Sequence, residues 1–500
     1  MTEAALPSGQ TAPFSHQDGP VFEPHGDVAH NSPIHGGDCG STAPLTVKTN
    51  AGTVTGFINS TAPNVRQWLG IPYAEPPIGK LRFMPPKPKK RFDHLETKKY
   101  QPSCMQQLSN SATVYTEVIP EFLINGGQSE DCLYVNVYAP LRPVEEALPV
   151  FVYIPGGGFT GGGADSVYKI PDKWIERSQT HIVVIMNYRV NIFGFPSAEG
   201  QPLNAGLLDQ RLVVEYVRDN IAAFGGDPER ITLWGQSAGA SSASIYGYAY
   251  PKDPIITGYI ADSGAAGVAQ GTNAGQFSSF AGYFGCNKTE NAKKQLHCMQ
   301  KVDAKDIQQT LSFGGTGARF TPSADGKTAF ANYTERIEKG QVAKIPAITG
   351  SNSNEGAGFG GFDPNGMLPG QYQLGLNAIV CPVATEVREQ FGYTTYRYFY
   401  SGNFSNISPL PWIGATHSAE LPILFGTHYE YRGNSTAFEW EVADTMQALW
   451  LSFARDASKA PSDGTLKWKE YNSKKKTLLS IADGEVLAQY VSPEVVNSEC

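Results

Sequence analysis

The sequence has no apolar run that approaches the ~20 residues that a helix needs to span a bilayer. It also has no excess of basic residues, since 39 Lys and Arg stand against 47 Asp and Glu and give a net charge of −8. A chain of that charge is not expected to have nucleic acid or an anionic membrane surface as its main partner. Hydrophobic residues make up 41% of the chain and charged residues 17%, which is typical of a globular enzyme.

The sequence also lacks CxxC pairs. Because none of its seven cysteines belongs to one, a zinc site is not expected. The widely spaced cysteines are accompanied by Asn-X-Ser/Thr sequons at Asn59, Asn287, Asn332, Asn403, Asn406 and Asn434. Together they indicate a secreted glycoprotein. The first residues, Met1 to Ala5, do not begin an apolar signal segment, so we interpret Met1 as standing in for a signal that has been removed.

Composition divides the chain near residue 45. Residues 1–44 are rich in His, Pro, Gly and Asp and are predicted to form a flexible N-terminal arm. Four of the nine histidines lie in this arm, which makes a metal-binding tract the alternative, but their irregular spacing favours solvated disorder. Residues 45–500 show no internal repeat and no linker, and we expect them to form a single domain.

Short apolar segments alternate with helical ones beyond the arm. The predicted strands are Val150–Ile154, Ile182–Met186, Ile231–Trp234, Gly258–Ala261, Ile345–Thr349 and Thr395–Tyr400, and Leu207–Ile221 is a predicted helix. Before them, Leu45–Lys48 and Val54–Ile58 predict an antiparallel meander. This alternation predicts an α/β fold with a mostly parallel central sheet and helices on both faces. Ligands of such sheets bind at the carboxyl ends of the strands.

The segment Gly235-Gln236-Ser237-Ala238-Gly239 follows one of these strands and precedes a run of small residues. A serine between two glycines at a strand-to-helix turn is typical of the nucleophile of a hydrolase. The turn is too tight for side chains on either side, and it presents the hydroxyl at a helix N-terminus. The pattern is short enough to arise by chance, so its interpretation depends on the residues around it.

A serine hydroxyl needs a base, and in this fold class the chain order is Ser, then Asp or Glu, then His. Only His297, His417 and His428 follow the serine. His417 is favoured because it lies in a glycine-containing loop after an aromatic strand. Glu355 is the predicted acid, because it follows a predicted strand and precedes a glycine; it would hold the imidazole in one tautomer.

The glycine run Gly156-Gly157-Gly158 follows the strand Val150–Ile154 and is followed by an aromatic residue. Glycines allow the backbone to approach a substrate and to direct N–H groups at a developing oxyanion. The expected donors are Gly157, Gly158 and Ala238. The alternative is a flexible turn with no role in chemistry.

With these residues in place, the chain resembles the type-B carboxylesterase/lipase family, which includes cholinesterases and fungal secreted carboxylesterases. The resemblance covers about residues 45–500. It rests on segments that occur in the family's order, namely 69–77, 129–137, 187–189, 204–210 and 224–228. The family's α/β-hydrolase fold is therefore expected for this chain.

The resemblance also implies pairings within the fold. Ion pairs are expected between Arg82 and Glu130 and between Arg189 and Asp209. The implied disulfides are Cys104–Cys132, Cys286–Cys298 and Cys381–Cys500, which leaves Cys39 unpaired within the chain.

The chain departs from cholinesterases at positions that attract cations. The loop between Cys104 and Cys132 contains no tryptophan for cation–π binding, and Gln236 stands where cholinesterases carry a glutamate. Choline esters are therefore not the expected substrates. The interval from Glu355 to His417 is shorter than is usual in the family, and a more open pocket is predicted.

The sequence thus predicts a secreted carboxylic ester hydrolase that acts on a small-molecule ester through an acyl-enzyme. No metal and no organic cofactor are implied. A lipase or sterol esterase on the same scaffold is the main alternative, and esterases of lactones, bulky natural products or polyesters stay open. A non-catalytic adhesion protein of the same fold is the alternative from another class. Acyl and alcohol specificity and oligomeric state cannot be read from the sequence.

Overall fold

The structure is a computed structural model that describes residues 43–267, 275–287, 291–386 and 388–500. All but the last two residues of the predicted N-terminal arm lie outside the described residues, and so does Cys39.

Strands and helices alternate along the described chain. The strands are β1 (Thr46–Lys48), β2 (Thr53–Thr55), β3 (Phe57–Asn59), β4 (Ala62–Pro72), β5 (His94–Glu96), β6 (Ser103–Cys104), β7 (Gln128–Ser129), β8 (Tyr134–Pro140), β9 (Leu148–Ile154), β10 (Ile182–Met186), β11 (Gly226–Gln236), β12 (Gly258–Asp262), β13 (Ala347–Asn352), β14 (Thr395–Tyr400), β15 (Leu478–Asp483) and β16 (Val486–Val491).

The α-helices are α1 (Val114–Glu117), α2 (Asp172–Ser178), α3 (Asn191–Gly194), α4 (Ala205–Asn220), α5 (Ala238–Ala249), α6 (Gln276–Ala281), α7 (Ala292–Met299), α8 (Ala304–Phe313), α9 (Tyr333–Glu338), α10 (Gln371–Gly375), α11 (Cys381–Ala384), α12 (Leu421–Phe425), α13 (Ala437–Arg455) and α14 (Glu494–Asn497). A π-helical turn, Leu376–Val380, joins α10 to α11. Within the described ranges, no helix has the length and apolar character needed to cross a bilayer.

One large sheet carries most of the strands, in the order β16-β15-β14-β13-β12-β11-β9-β10-β8-β4-β3. Neighbouring strands from β10 to β15 run parallel, whereas antiparallel pairs flank them at both edges. The predicted mostly parallel sheet is confirmed. Since β9, β11, β12 and β13 are adjacent, the loops that leave their carboxyl ends come together at one edge.

Helices cover both faces of this sheet, as the alternation of side chains in β9 shows. Val150 and Val152 point into a core shared with α4 and α5. Phe151 and Tyr153 point into a second core shared with α2, α12 and α13. Each face therefore buries its own set of apolar side chains, which explains why the central strands are apolar without a period of two.

Two predictions about elements need correction or refinement. The predicted segment Val54–Ile58 is interrupted at Gly56, so β2 pairs with β1 while β3 joins the large sheet beside β4. A side chain at Gly56 would lie 2.3 Å from the Gln67 carbonyl oxygen, which is why the chain bends there. The nucleophile's strand is longer than predicted, because it begins at Gly226.

The structure contains the disulfides Cys104–Cys132, Cys286–Cys298 and Cys381–Cys500, the pairs that the resemblance implied. It also contains both implied ion pairs. Arg82 Nε lies 2.5 Å from Glu130 Oε1, and Arg189 Nη2 lies 2.6 Å from Asp209 Oδ1.

Candidate active site

Ser237 lies at the turn from β11 to α5, where the backbone is strained. Its φ of 58° and ψ of −123° are rare for a residue with a side chain, and such strain is concentrated at functional sites. Small neighbours make the turn possible. A Cβ on Gly235 would lie 2.2 Å from the Gly239 carbonyl oxygen, and one on Gly239 would lie 2.0 Å from the Ile154 carbonyl oxygen. The predicted tight turn from strand to helix is therefore present, with Ser237 directly before the first residue of α5.

Glu355 follows β13 and is buried, with 2% of its surface exposed. Its Oε1 accepts hydrogen bonds from the Ser263 hydroxyl at 2.6 Å and from the Asn352 amide N–H at 2.7 Å. Its Oε2 lies 2.6 Å from Nδ1 of His417. A carboxylate that accepts the Nδ1–H leaves Nε2 with its lone pair, which is the tautomer that a general base requires.

The loop that carries His417 is fastened to the loop that carries Glu355. The side-chain amide of Asn352 donates to the Thr416 carbonyl at 2.8 Å, and the Asn354 N–H donates to the Ala415 carbonyl at 3.0 Å. The imidazole itself packs against the ring of Phe359, with centroids 4.8 Å apart. These contacts fix the imidazole between the acid and the edge of the sheet.

A further hydroxyl supports the same loop from the segment between Cys104 and Cys132. Tyr115, on α1, donates a hydrogen bond to the His417 carbonyl at 2.7 Å. Gln106 of the same segment accepts from the Gly162 N–H at 2.6 Å and so supports the glycine loop after β9. This disulfide-closed segment therefore holds both the base and the glycine loop in place.

The second ring nitrogen of His417 is occupied by a neighbour of the nucleophile. Its Nε2 lies 3.2 Å from Nε2 of Gln236, whose amide N–H donates to the lone pair. Between Ser237 and His417, both within the described chain, the structure contains no hydrogen bond. Catalytic hydrogen bonds are often long or absent without substrate, so the serine and the imidazole remain candidates for partners in the reaction.

The glycine run after β9 has the geometry of a shaped loop. Gly157 has a φ of 128° and Gly158 a φ of 62°, and a Cβ on Gly157 would lie 2.3 Å from the Gly161 carbonyl oxygen. No group in the described ranges accepts a hydrogen bond from the N–H of Gly157 or Gly158. Ala238 is the first residue of α5, where the helix has no partner for its N–H.

A cavity of about 280 Å³ opens beside Ser237. Besides Ser237, it is lined by Gly158, Phe159, Ala238, Ser241, Arg319, Phe359, Gly360, Leu374, Ala378 and Ile379. One wall is apolar and comes from α10 and the π-helical turn. The lining therefore combines the serine and two of the expected oxyanion donors with an apolar surface and one cation.

Two further carboxyl groups, those of Asp262 and Glu420, are buried. The Asp262 side chain accepts from Trp234 at 2.5 Å and from Tyr398 at 2.9 Å, and burial raises its pKa to about 7. Burial, with the charges of Asp262 and Glu355 nearby, raises the pKa of Glu420 well above its usual range. Burial therefore favours the neutral form of both groups relative to a carboxyl group in water.

The alternative histidines lie elsewhere. His428 is buried, with Nδ1 2.6 Å from the Ser435 hydroxyl and 3.3 Å from Glu439 Oε1. His297 is exposed on α7. In the described part of the chain, no three His, Cys, Asp or Glu side chains are grouped so that they could hold a metal ion.

Several residues of the site were not predicted from the sequence. Ser263 could have been suspected, because it comes directly after β12, as Ser237 comes directly after β11. Asn352 and Asn354 lie beside the predicted acid but carry no signal of their own. Arg319 could not have been found, because it lies in an irregular segment between α8 and α9 that is distant in sequence from the serine.

The sequons differ in their surroundings. Asn287, Asn332, Asn403 and Asn434 are exposed, and Asn59 is half-buried. Asn406 is buried, and its side-chain nitrogen donates to the His428 carbonyl at 2.7 Å and contacts Ser435 and Glu439 at 3.1 and 3.0 Å. A glycan is attached through that same nitrogen, so this sequon does not fit occupancy in the folded protein.

Comparison with known proteins gives consistent matches over nearly the whole chain. A model described as the carboxylesterase family matches residues 43–373 and 374–497. A chlorogenic acid esterase of Aspergillus niger is 50% identical over 482 residues, which cover 91% of this chain and 94% of that protein. Secreted lipase 5 of Gibberella zeae is 40% identical over 506 residues (92% and 94%). A cholinesterase of Mus musculus is 29% identical over 505 residues (87% and 81%).

Proposed function

Because this chain belongs to the carboxylesterase family and is a carboxylic ester hydrolase, we propose that its reaction runs through an acyl-enzyme formed on Ser237. The observation that carries this proposal is the 2.6 Å contact between Glu355 Oε2 and His417 Nδ1 at the edge of the sheet where Ser237 lies. A carboxylate, an imidazole and a serine elbow at one edge are the components that acyl transfer needs.

The first half of the reaction transfers the acyl group to the enzyme. His417 Nε2 takes the proton of the Ser237 hydroxyl while Oγ bonds to the ester carbonyl carbon. The Gln236 amide, which donates to that nitrogen in the free enzyme, gives up this contact when the serine engages. Glu355 stabilises the imidazolium that forms, and the N–H groups of Gly157, Gly158 and Ala238 donate hydrogen bonds to the oxyanion. His417 then gives its proton to the departing alcohol.

The second half releases the acid. Water, deprotonated by His417 Nε2, attacks the acyl carbon, and the same donors hold the second oxyanion. The proton returns to Ser237 Oγ as its bond to the acyl carbon breaks. One serine, one imidazole and one carboxylate therefore account for both steps.

Replacing Ser237 with Ala tests this proposal. We expect the variant to lose at least ~10³-fold in kcat for a short-chain aryl ester, because the nucleophile is gone while the oxyanion donors remain. Thermal unfolding of the variant should match that of the parent protein, because the change removes a single oxygen from a small, half-buried side chain. Turnover at the parent rate would reject Ser237 as the nucleophile.

Stoichiometric labelling with an organophosphonate gives an independent measurement. A label on Ser237 of the parent protein, and none on the Ala variant, supports an activated serine. Failure of the parent protein to react would instead favour the non-catalytic alternative on the same fold.

A lipase is the second candidate, and two observations favour it. One relative is named a secreted lipase, and Leu374, which lines the cavity, is 48% exposed beside the similarly exposed Tyr372. The other relative is named a chlorogenic acid esterase, and this name favours esters of a soluble acid. Hydrolysis of an emulsified triglyceride, compared with a soluble butyrate ester, distinguishes the two.

We also propose that the protein works outside the cell and carries N-linked glycans. Three disulfides are typical of proteins that fold in an oxidising compartment, and four sequon asparagines are exposed. Residues 45–500 are proposed to form one domain.

A further inference from the structure

We propose that Arg319 makes this enzyme selective for esters that carry a carboxylate on the part of the substrate that occupies the cavity beside Ser237. The inference rests on the proposed function of Ser237 and names the substrate class for that site. The class is an organic acid with one esterified group and one free carboxylate, joined by an apolar segment.

Arg319 lines the same cavity as Ser237, and its Nη2 lies 3.6 Å from the point that a Cβ on Gly158 would occupy. The guanidinium is thus within about one side-chain length of an expected oxyanion donor. Arg319 also has an interaction of its own within the chain, and what a substrate would meet is a guanidinium located beside Ser237.

Among the described residues that line the cavity, Arg319 is the one that bears a formal charge. The chain as a whole has a net charge of −8, so an anion gains nothing from the protein's overall field. A local guanidinium supplies what an anionic substrate needs, because its planar donors match a carboxylate.

Gln236 is neutral, so the residue before Ser237 adds no negative charge that would repel an anion. The carboxylate that does lie near, Glu355, faces the His417 ring. The cavity is therefore poorly suited to cationic esters and well suited to anionic ones.

The cavity also has an apolar wall. Leu374, Ala378 and Ile379 present apolar side chains from α10 and the π-helical turn, facing a cavity that also contains the guanidinium. A substrate that is apolar along its body and charged at one end would contact both. A neutral ester would contact the apolar wall alone.

Matched ester pairs test the proposal on both sides of the scissile bond. For the alcohol side, 3-carboxyphenyl butyrate is compared with 3-carbamoylphenyl butyrate, which has the same shape without the charge. For the acyl side, phenyl hydrogen adipate is compared with its monoamide. We expect the parent enzyme to prefer the anionic member of at least one pair by about 5- to 20-fold in kcat/KM, as a partly solvated ion pair permits.

Variants assign that preference to a residue. Arg319→Gln should bring the anionic-to-neutral ratio close to one, mainly through KM, while Arg319→Lys should keep part of it. Arg142→Gln removes one exposed positive charge at a residue that does not line the cavity, and it should leave the ratio as in the parent. Raising NaCl from about 20 mM to about 0.5 M should lower the parent's ratio as well.

Three outcomes overturn the inference. The parent enzyme could show no preference for either anionic ester, or Arg319→Gln could retain the preference. Equal losses of kcat/KM for the charged and neutral members would show that Arg319 acts on the oxyanion and not on a substrate carboxylate. If the parent protein cleaves none of the four esters, the proposed function itself fails, and this result is distinct from the other three.

Discussion

At the scale of single residues, Gln236 has the least expected contact in the site. Its amide donates to Nε2 of His417, the nitrogen that accepts the proton of Ser237 in the proposed mechanism. In the free enzyme the imidazole is therefore held by two side chains, with Glu355 on Nδ1 and Gln236 on Nε2. Such a contact keeps the ring in place until substrate brings the serine hydroxyl into line.

Replacing Gln236 with Glu would put a carboxylate where the amide now lies. A negative charge close to Nε2 favours the protonated ring, which cannot act as a base. We expect the acid limb of the kcat/KM profile to move up by about half to one pH unit, so that activity is lost at a higher pH. Hydrolysis of an uncharged aryl ester between pH 4 and pH 9 measures the shift.

Gln236→Met is the matched control, because it keeps the length of the side chain and adds no charge. Its pH profile should have the midpoint of the parent protein even if its rate differs. An unshifted acid limb in the Glu variant would show that residue 236 does not act on the imidazole through its charge.

Some residues of the site could be predicted from the sequence, and others could not. Ser237 lies between glycines, and the order of acid and base along the chain leaves few choices for Glu355 and His417. Gln236 and Arg319 gave no such signal, because their roles depend on where long side chains point. That direction is set by packing between segments far apart in the chain.

At the scale of elements, the central strands were the most predictable. β10 and β14 have the predicted bounds, since β10 is a short apolar run and β14 is a short run rich in aromatic residues. The cavity wall was not predictable. α10, the π-helical turn and α11 are too short to show a periodic pattern, and π-helical turns form where packing requires an extra residue.

The disulfide at Cys381 fixes the end of that wall. Cys381 is the first residue of α11 and stands two positions after Ile379, which lines the cavity. Its partner Cys500 lies 119 residues further along the chain. The wall is thus attached at one end to a distant part of the protein by a covalent bond.

Replacing both Cys381 and Cys500 with Ser should lower the stability by about 2–5 kcal/mol, because a long loop is no longer closed in the unfolded chain. We also expect KM for a soluble butyrate ester to rise several-fold, because the apolar wall loses its attachment. Thermal unfolding and steady-state kinetics measure the two effects.

The pair Cys286 and Cys298 serves as the control, since it closes a shorter loop and neither cysteine lines the cavity. Its double Ser variant should lose stability while keeping the KM of the parent protein. A KM that rises equally in both variants would mean that the effect is global and not a property of the wall.

At the scale of the whole molecule, the sheet buries one core on each face, and this division follows from the sequence pattern. Apolar strands without alternation require cover on both sides, which the helices between them provide. The disulfide partners, in contrast, could not be predicted from the sequence pattern. Spacing alone allows many connectivities, and only the resemblance to a family selected the three pairs.

Glycan occupancy is the prediction that belongs to this scale. Exposed sequons such as Asn332, Asn403 and Asn434 should carry glycans when the protein is secreted from a eukaryotic host. Asn406 should carry none, because its nitrogen is used inside the fold. Glycopeptide mass spectrometry of the active protein measures occupancy at each site. A glycan on Asn406 of active protein would contradict the structure of this region.

The bond between Cys381 and Cys500 has a consequence for the order in which the enzyme matures. Residues 237, 355 and 417 all leave the ribosome before residue 500 does. A nascent chain can therefore bring the three proposed catalytic residues together while the wall is still untethered. Newly made molecules should acquire the ability to cleave esters first and their discrimination among them afterwards.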